Sequence, residues 1–206
     1  MPATATLATL LSRRSVSPRR LTHPGPTRAE LDSIFDVGLR APDHCGLLPW
    51  RVIEFDERCR GALADLFEAE KLRRDPLASQ EDRDRAREHA TRSPVVLAFV
   101  VRPVRHPLVP VYEQWLSAGA ALGNMLMAAQ ASGYGAIILS GERCHDGLLR
   151  AALGLTEGET LAGFISIGTV SKAPSPAAPK SRDSVRSVWS QPVATVDRAV
   201  SAKPLV

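Results

Sequence analysis

The chain has 206 residues, 44% of them apolar, and carries 26 Lys+Arg against 22 Asp+Glu for a net charge of +4. That supports one packed domain, excludes global disorder, and is too mild a cation excess to indicate nucleic acid by itself. No apolar run reaches the ~18 residues needed to span a bilayer, and Cys45, Cys59 and Cys144 show neither a CxxC pair nor a disulfide framework, which fits a reducing cytoplasm.

Residues 4–13 (TATLATLLSR) read as a helix with Leu7, Leu10 and Leu11 on one face. Residues 15–27, with Pro18, Pro24, Gly25 and Pro26, read as an irregular connection. Thr27 with Glu30 is a capping box that opens a helix to about Leu39. After a loop marked by Pro42 and Gly46, Trp50–Phe55 (WRVIEF) has strand composition. Residues 60–92 are helix-like, and the alternating charges of EDRDRAREH suggest a solvated helical face. VVLAFVV (95–101) reads as a buried strand.

Residues 112–132 give the strongest helical signal, with Trp115, Leu116, Leu122, Met125, Leu126 and Ala129 at helical spacing. Ala118, Gly119, Ala121 and Gly123 on the same segment would let another backbone approach. Gly133-Tyr134-Gly135 ends it. AIILS (136–140) is a short strand, 145–153 a further helix, and LAGFISIGT (161–169) the last strand. Four apolar strands interleaved with helices predict an α/β or α+β domain with one helix-covered sheet. The reading is a single domain over 1–206, with about 1–5 and 192–206 as extended or disordered tails.

Four short segments could carry chemistry. Arg13-Arg14-Ser15-Val16-Ser17 offers two guanidinium forks and two hydroxyls, a set suited to an oxyanion, although on composition alone a polar helix end is the commoner meaning. Arg40-Ala-Pro-Asp-His44-Cys45-Gly46-Leu-Leu48-Pro-Trp50 is a constrained loop in which Arg40 and His44 are donors for a polar heterocycle. Taken alone, His44 is more often a structural histidine, oriented by Asp43. The strand end Ile138-Leu139-Ser140-Gly141 can present backbone N–H groups to a ligand edge, and Lys180-Ser181-Arg182 is a basic triplet near the end. The five histidines are scattered with no H-x-x-x-H spacing, so no metal is expected. No Walker or G-x-G-x-x-G sequence occurs, so any nicotinamide would sit outside a Rossmann motif.

Taken in order, SRRSVS, RAPDHCGLLPWRV, EQWLSAGAALGNMLMAAQASGYGAIILSG, FISIGT and KSR resemble the nitroreductase family of flavoproteins, in particular its shorter branch, over nearly the whole chain. The resemblance implies an α+β three-layer fold, with a mainly antiparallel central sheet flanked by helices. It also implies an intertwined homodimer with FMN at the interface. It assigns Arg13, Arg14 and Ser15, with Ser17 beside them, to the flavin phosphate and ribityl chain, joined at the phosphate by Lys180 and Arg182. Arg40 and His44 would reach the flavin from the partner subunit. Ile138, Leu139, Ser140 and Gly141 would line the ring.

The implied activity is ping-pong transfer of reducing equivalents from NADH or NADPH, through FMN, to a small electron-poor acceptor such as a nitroaromatic or quinone, with no protein acid or base. The sequence departs from the family pattern at Leu48, Leu139, Cys45-Gly46 and Ser17, each of which removes a polar group near the expected pocket. Other readings are a flavin-binding protein of the same fold with little reductase turnover, a basic nucleic-acid module, and a transit function for the acid-free stretch 1–29. The basic N-terminal segment has no aromatic residue, which disfavours the nucleic-acid reading.

Overall fold

The computed structural model describes residues 2–175 and 180–189, and contacts divide the chain into Met1–Ser175 and Pro176–Val206. Among the described residues the first unit runs α1 (Pro2–Ser12), β1 (Leu21–Thr22), α2 (Arg28–Gly38), β2 (Trp50–Glu54), α3 (Arg60–Arg74), α4 (Gln80–Thr91), β3 (Val95–Val101), α5 (Val111–Ala131), β4 (Gly135–Leu139), α6 (Gly147–Ala152) and β5 (Thr160–Val170). In the second unit, residues 182–184 form a single 3-10 turn, capped by Ser181 Oγ accepting from Asp183 N–H at 3.1 Å.

Five strands form the sheet, one more than the four apolar runs predict. β5 pairs antiparallel with β3, β4 and β1, and β2 pairs antiparallel with the other edge of β3. The extra strand, β1, lies inside the segment read as an irregular connection. Its two residues pair with Val170 and Thr169. The stretch 60–92 is two helices, α3 and α4, broken where Asp75-Pro76 cannot continue a helical turn. The predicted helix at 145–153 starts at Gly147, where Asp146 caps it by accepting from Leu149 N–H at 2.6 Å. The capping box at Thr27 and Glu30 is present in both directions.

Strand alternation sorts the core into two layers. Leu97, Phe99, Val101, Ile165 and Ile167 face α2 and α5, packing with Leu31, Ile34 and Met125, and Trp50 stacks on Phe99 with ring centroids 5.6 Å apart. Val96, Ala98, Val100 and Phe164 face α3, α4 and α6, where Phe67, Ala90 and Leu149 complete the second layer. The sheet therefore lies between two helical layers, and VVLAFVV is buried from both sides. Gly163 is required where β5 meets β4: a Cβ there would stand 2.8 Å from the Leu139 carbonyl oxygen and 2.7 Å from Ile138 Cγ1.

One ion pair ties β2 to the approach of β5. Arg51 donates from Nε and Nη2 to Glu159 at 2.6 and 2.8 Å, and Thr156 N–H adds a third bond at 2.9 Å. These bonds, chiefly those from Arg51, hold the Glu159 carboxyl down at about 2, below its usual 4.5. A depressed carboxyl stabilises the fold above its unfolded value, and that stabilisation is lost as pH falls through the folded value. Acid titrations of stability should therefore fall more steeply between about pH 4.5 and 2 in the parent than in Glu159→Gln. Parallel curves over that interval would show that this pair does not drive acid unfolding.

Candidate functional site

The segment after α1 is held by a single side chain. Gln130, near the end of α5, donates from Nε2 to the Thr9 carbonyl and Ser12 Oγ, both at 2.9 Å, and its Oε1 accepts from Arg14 N–H at 3.2 Å. Val16 N–H then donates to the Ala136 carbonyl at 3.1 Å, so Ser15 forms a parallel bridge with Ala136 at the start of β4. Val16 is buried while Ser15 and Ser17 are exposed, so extended alternation turns both hydroxyls outward. Arg13 and Arg14 are half-buried at the head of this segment.

The 15–16 segment is bridged to the start of β4, where Val16 and Leu21 both lie against Gly135, and the chain then turns to pair β1 with β5; the far end of β4 lies beyond it. There Leu139 is half-buried, Ile138 likewise, and Ser140 and Gly141 are exposed. Gly141 has φ +145°, a conformation open to glycine and strained for other residues. Its carbonyl accepts from Cys144 N–H at 2.9 Å, closing the turn 141–144. From Ala136 to Gly141 is five residues, about 16 Å at ~3.3 Å per residue. A cationic and hydroxylic end and an open strand end thus bracket one edge of β4, spaced for a long, narrow ligand with a phosphate at one end.

The 40–48 loop sits elsewhere in the same chain. His44 Nδ1 lies 2.9 Å from Glu113 Oε2 in the first turn of α5, and Ser117 Oγ donates to the Pro42 carbonyl at 2.8 Å. Asp43 does not orient His44; its carboxylate accepts from Leu48 N–H at 2.7 Å and holds the loop instead. Cys45 (φ 64°) and Leu48 (φ 46°) both occupy the left-handed region, at a cost of about 1–3 kcal/mol each that these bonds offset. Arg40 is exposed. His44 is tied to residue 113 and Arg14 to residue 130 of one helix. The two groups are therefore separated by seventeen residues of α5, about 25 Å at ~1.5 Å per residue. One chain does not bring them together.

The donor set fits a phosphorylated flavin. The arginines of α3 and α4 are largely committed to carboxylates, as in Arg73–Asp146, Arg74–Glu70, Arg87–Asp65 and Arg92–Glu88. In contrast, the side chains of Arg13, Arg14 and Arg40 make no ion pair or hydrogen bond among the described residues. Unspent guanidinium groups beside outward hydroxyls are what a dianionic phosphate and a polyol chain require. Lys180 and Arg182 are exposed residues of the second unit.

The model of one protein family, described as "Nitroreductase family", matches residues 10–169. The chain belongs to the nitroreductase family. Two proteins carrying the name Putative NAD(P)H nitroreductase are similar to it. YdjA of Escherichia coli (strain K12) is 34% identical over 165 residues, which is 79% of this chain and 87% of that protein. The other, from Haemophilus influenzae, is 34% identical over 162 residues, 78% of this chain and 86% of its own. Among solved structures, the nitroreductase-like family protein of Bacillus cereus superposes with a TM-score of 0.76 at 20% identity, over 90% of this chain and 96% of that one. The nitroreductase fold implied by the sequence motifs is therefore the observed one.

Sequence reasoning missed a second group in this nitroreductase. Arg143 lines a cavity of about 260 Å³ beside the Leu139–Gly141 turn, and Glu70, behind that lining, accepts from its Nε at 3.3 Å. Glu70 lies on α3, ahead of the EDRDRAREH segment read as solvated, and is 1% exposed, accepting from Arg74 and Arg143. The signal available was the position of Arg143, three residues beyond Ser140.

Proposed function

We propose that this nitroreductase carries FMN and transfers reducing equivalents from NADH or NADPH to a small electron-poor acceptor, a nitroaromatic, quinone or similar compound. The observation that carries the reading is the pair of cations, Arg13 and Arg14, unspent among the described residues, at the head of a segment bridged to the start of β4, the strand whose other end is the open Ser140–Gly141 turn. When bound, FMN supplies a ring that takes a hydride and gives it up again. Arg13, Arg14, Ser15 and Ser17 hold its phosphate and ribityl chain. Ile138, Leu139, Ser140 and Gly141 line the ring, with a backbone N–H of this turn meeting its edge. The two substrates take turns at one face, a ping-pong order that needs no protein acid or base.

The active unit in this reading is a homodimer. α5 exposes Val111 (52%), Tyr112 (65%) and Leu116 (69%), with Gly119 and Gly123 further along the same helix. A contiguous apolar helix face of this kind marks an association surface. Antiparallel packing of two α5 helices about a two-fold axis would carry the 40–48 loop of one copy to the 13–17 segment of the other. That closes the ~25 Å separation within one chain, and Arg40 and His44 then serve the second copy's flavin. Cys45 and Cys59 are exposed free thiols, which supports a cytoplasmic setting. No described helix is long and apolar enough to cross a membrane.

The test is an absorbance spectrum of the purified protein before and after anaerobic NADH or NADPH. A yellow protein bleached by one nicotinamide and recoloured by p-benzoquinone is the expected result. A yellow protein that neither nicotinamide bleaches would remove the reductase assignment, and a colourless one that takes up no added FMN would remove the flavin assignment.

A further inference from the structure

A different cavity, of about 300 Å³, opens where the end of β1, the start of α3 and the end of α4 meet, and none of the residues assigned to the flavin lines it. Two groups on its lining are buried and incompletely partnered. Ser93, between α4 and β3, is 2% exposed, and its hydroxyl makes no hydrogen bond among the described residues. Arg60, at the start of α3, is 7% exposed. It donates from Nε to the Ala90 carbonyl and from Nη2 to the Ser93 carbonyl, the latter at 2.7 Å. That leaves Nη1 without a protein partner among the described residues. Since Arg60 bonds the backbone of Ser93 itself, the guanidinium and the orphaned hydroxyl belong to one wall of the cavity.

Arg60 differs from the other arginines that turn inward. Arg51 meets Glu159, Arg73 meets Asp146, and Arg74 and Arg143 both meet Glu70. Arg60 forms no ion pair among the described residues. Burial pulls its guanidinium below the usual value, and Glu57 opposes that only in part. It nonetheless stays cationic at neutral pH. The carbonyls at the end of α4 return partial charge only, about half a unit for a whole helix end. A buried cation short of counter-charge costs free energy, and so does a buried hydroxyl without a bond. Water in the cavity would answer the hydroxyl alone; an anion answers both.

The remaining lining limits that anion to a single charge. Glu57 is exposed on the same cavity, so a dianion would meet one guanidinium and one opposing carboxylate. We infer that this cavity is a binding site for a small carboxylate monoanion, held through hydrogen bonds from Arg60 Nη1 and the Ser93 hydroxyl, with Glu57 disfavouring dianions such as phosphate. His23 and Thr91 complete the polar lining. The ligand bridges three segments distant in sequence, at 23, 57–60 and 91–93, and the inference stands whether or not the protein carries a flavin.

Calorimetric titration of the full chain with acetate, acetamide and phosphate, in Tris chloride at fixed ionic strength, tests the site. Acetate should saturate the parent with a Kd of about 1 mM or below. Acetamide, which keeps the shape without the charge, and phosphate should each bind at least about tenfold more weakly. Arg60→Gln removes the bonds to the end of α4 along with the ligand contact, so Ser93→Ala is the deciding variant. It loses one bond to a charged group and should weaken acetate roughly tenfold. Glu57→Gln should narrow the gap between acetate and phosphate by about threefold. The double variant Arg13→Ala, Arg14→Ala should bind acetate as the parent does, which separates this cavity from the cations near β4. An acetate Kd above that range, acetamide equal to acetate, an unchanged affinity in Ser93→Ala, or loss of acetate binding in the double arginine variant would each overturn the site. An unaltered gap in Glu57→Gln would overturn the part given to Glu57.

Discussion

Arg13→Ala combined with Arg14→Ala is expected to yield a folded, colourless protein. Neither guanidinium has a protein partner among the described residues, so their loss should leave unfolding free energy within about 0.5 kcal/mol of the parent. Both are assigned to the flavin phosphate, where a charge-assisted hydrogen bond contributes about 1.5–3 kcal/mol. Losing two such bonds should weaken FMN by roughly 10²- to 10⁴-fold. A fluorescence titration of FMN, whose emission falls on binding, gives that ratio directly, and chemical denaturation supplies the control. Parental affinity in the double variant would move the phosphate away from the 13–17 segment. Destabilisation by several kcal/mol would mean that the two arginines serve the fold and not a ligand.

Phe67→Ala is expected to destabilise the protein by about 3–5 kcal/mol, the usual cost of deleting a buried phenyl ring. Phe67 is 1% exposed, meets Phe164 edge-on with centroids 4.8 Å apart, and carries the Arg143 guanidinium on its face. The loss therefore combines a core void with removal of the surface on which a half-buried cation rests. At about 2–4 °C per kcal/mol for a chain of this size, the melting temperature should drop by roughly 6–20 °C. Phe67→Leu keeps most of the volume and should recover much of the difference. A loss below about 1 kcal/mol in Phe67→Ala would show that the second core layer collapses around the gap.

What the sequence revealed and what it hid divide along a physical line. The Thr27–Glu30 capping box, the seven apolar residues of β3 and the long periodic run of α5 are local patterns, and each forms where it was expected. β1 is two residues long and exists only because Val170 and Thr169 pair with it, a contact about 150 positions away that no local window contains. The loop with positive φ at Cys45 and Leu48 is held partly from outside, by Ser117 of α5 on the Pro42 carbonyl, beside the local bond from Leu48 N–H to Asp43. The candidate site follows the same division. Residues 13–17 and 138–141 were visible as donors and as a strand end, but the bridge from Ser15 to Ala136, 121 positions away, lies outside any local window. Glu70 and Arg143 stayed hidden because a charge buried by its partner looks, in sequence, like any charge on a wet helix.

Gln130 has a temporal meaning. Its three bonds hold Thr9, Ser12 and Arg14, groups 116 to 121 positions earlier in the chain. While the polypeptide leaves the ribosome at about 5–20 residues per second, the first helix emerges long before its anchor has been made. The phosphate end of the proposed site therefore cannot be assembled early. It waits for the central helix and the strand that follows, so a nascent chain truncated before residue 130 should leave its amino-terminal segment open to protease, however well the middle of the molecule has folded.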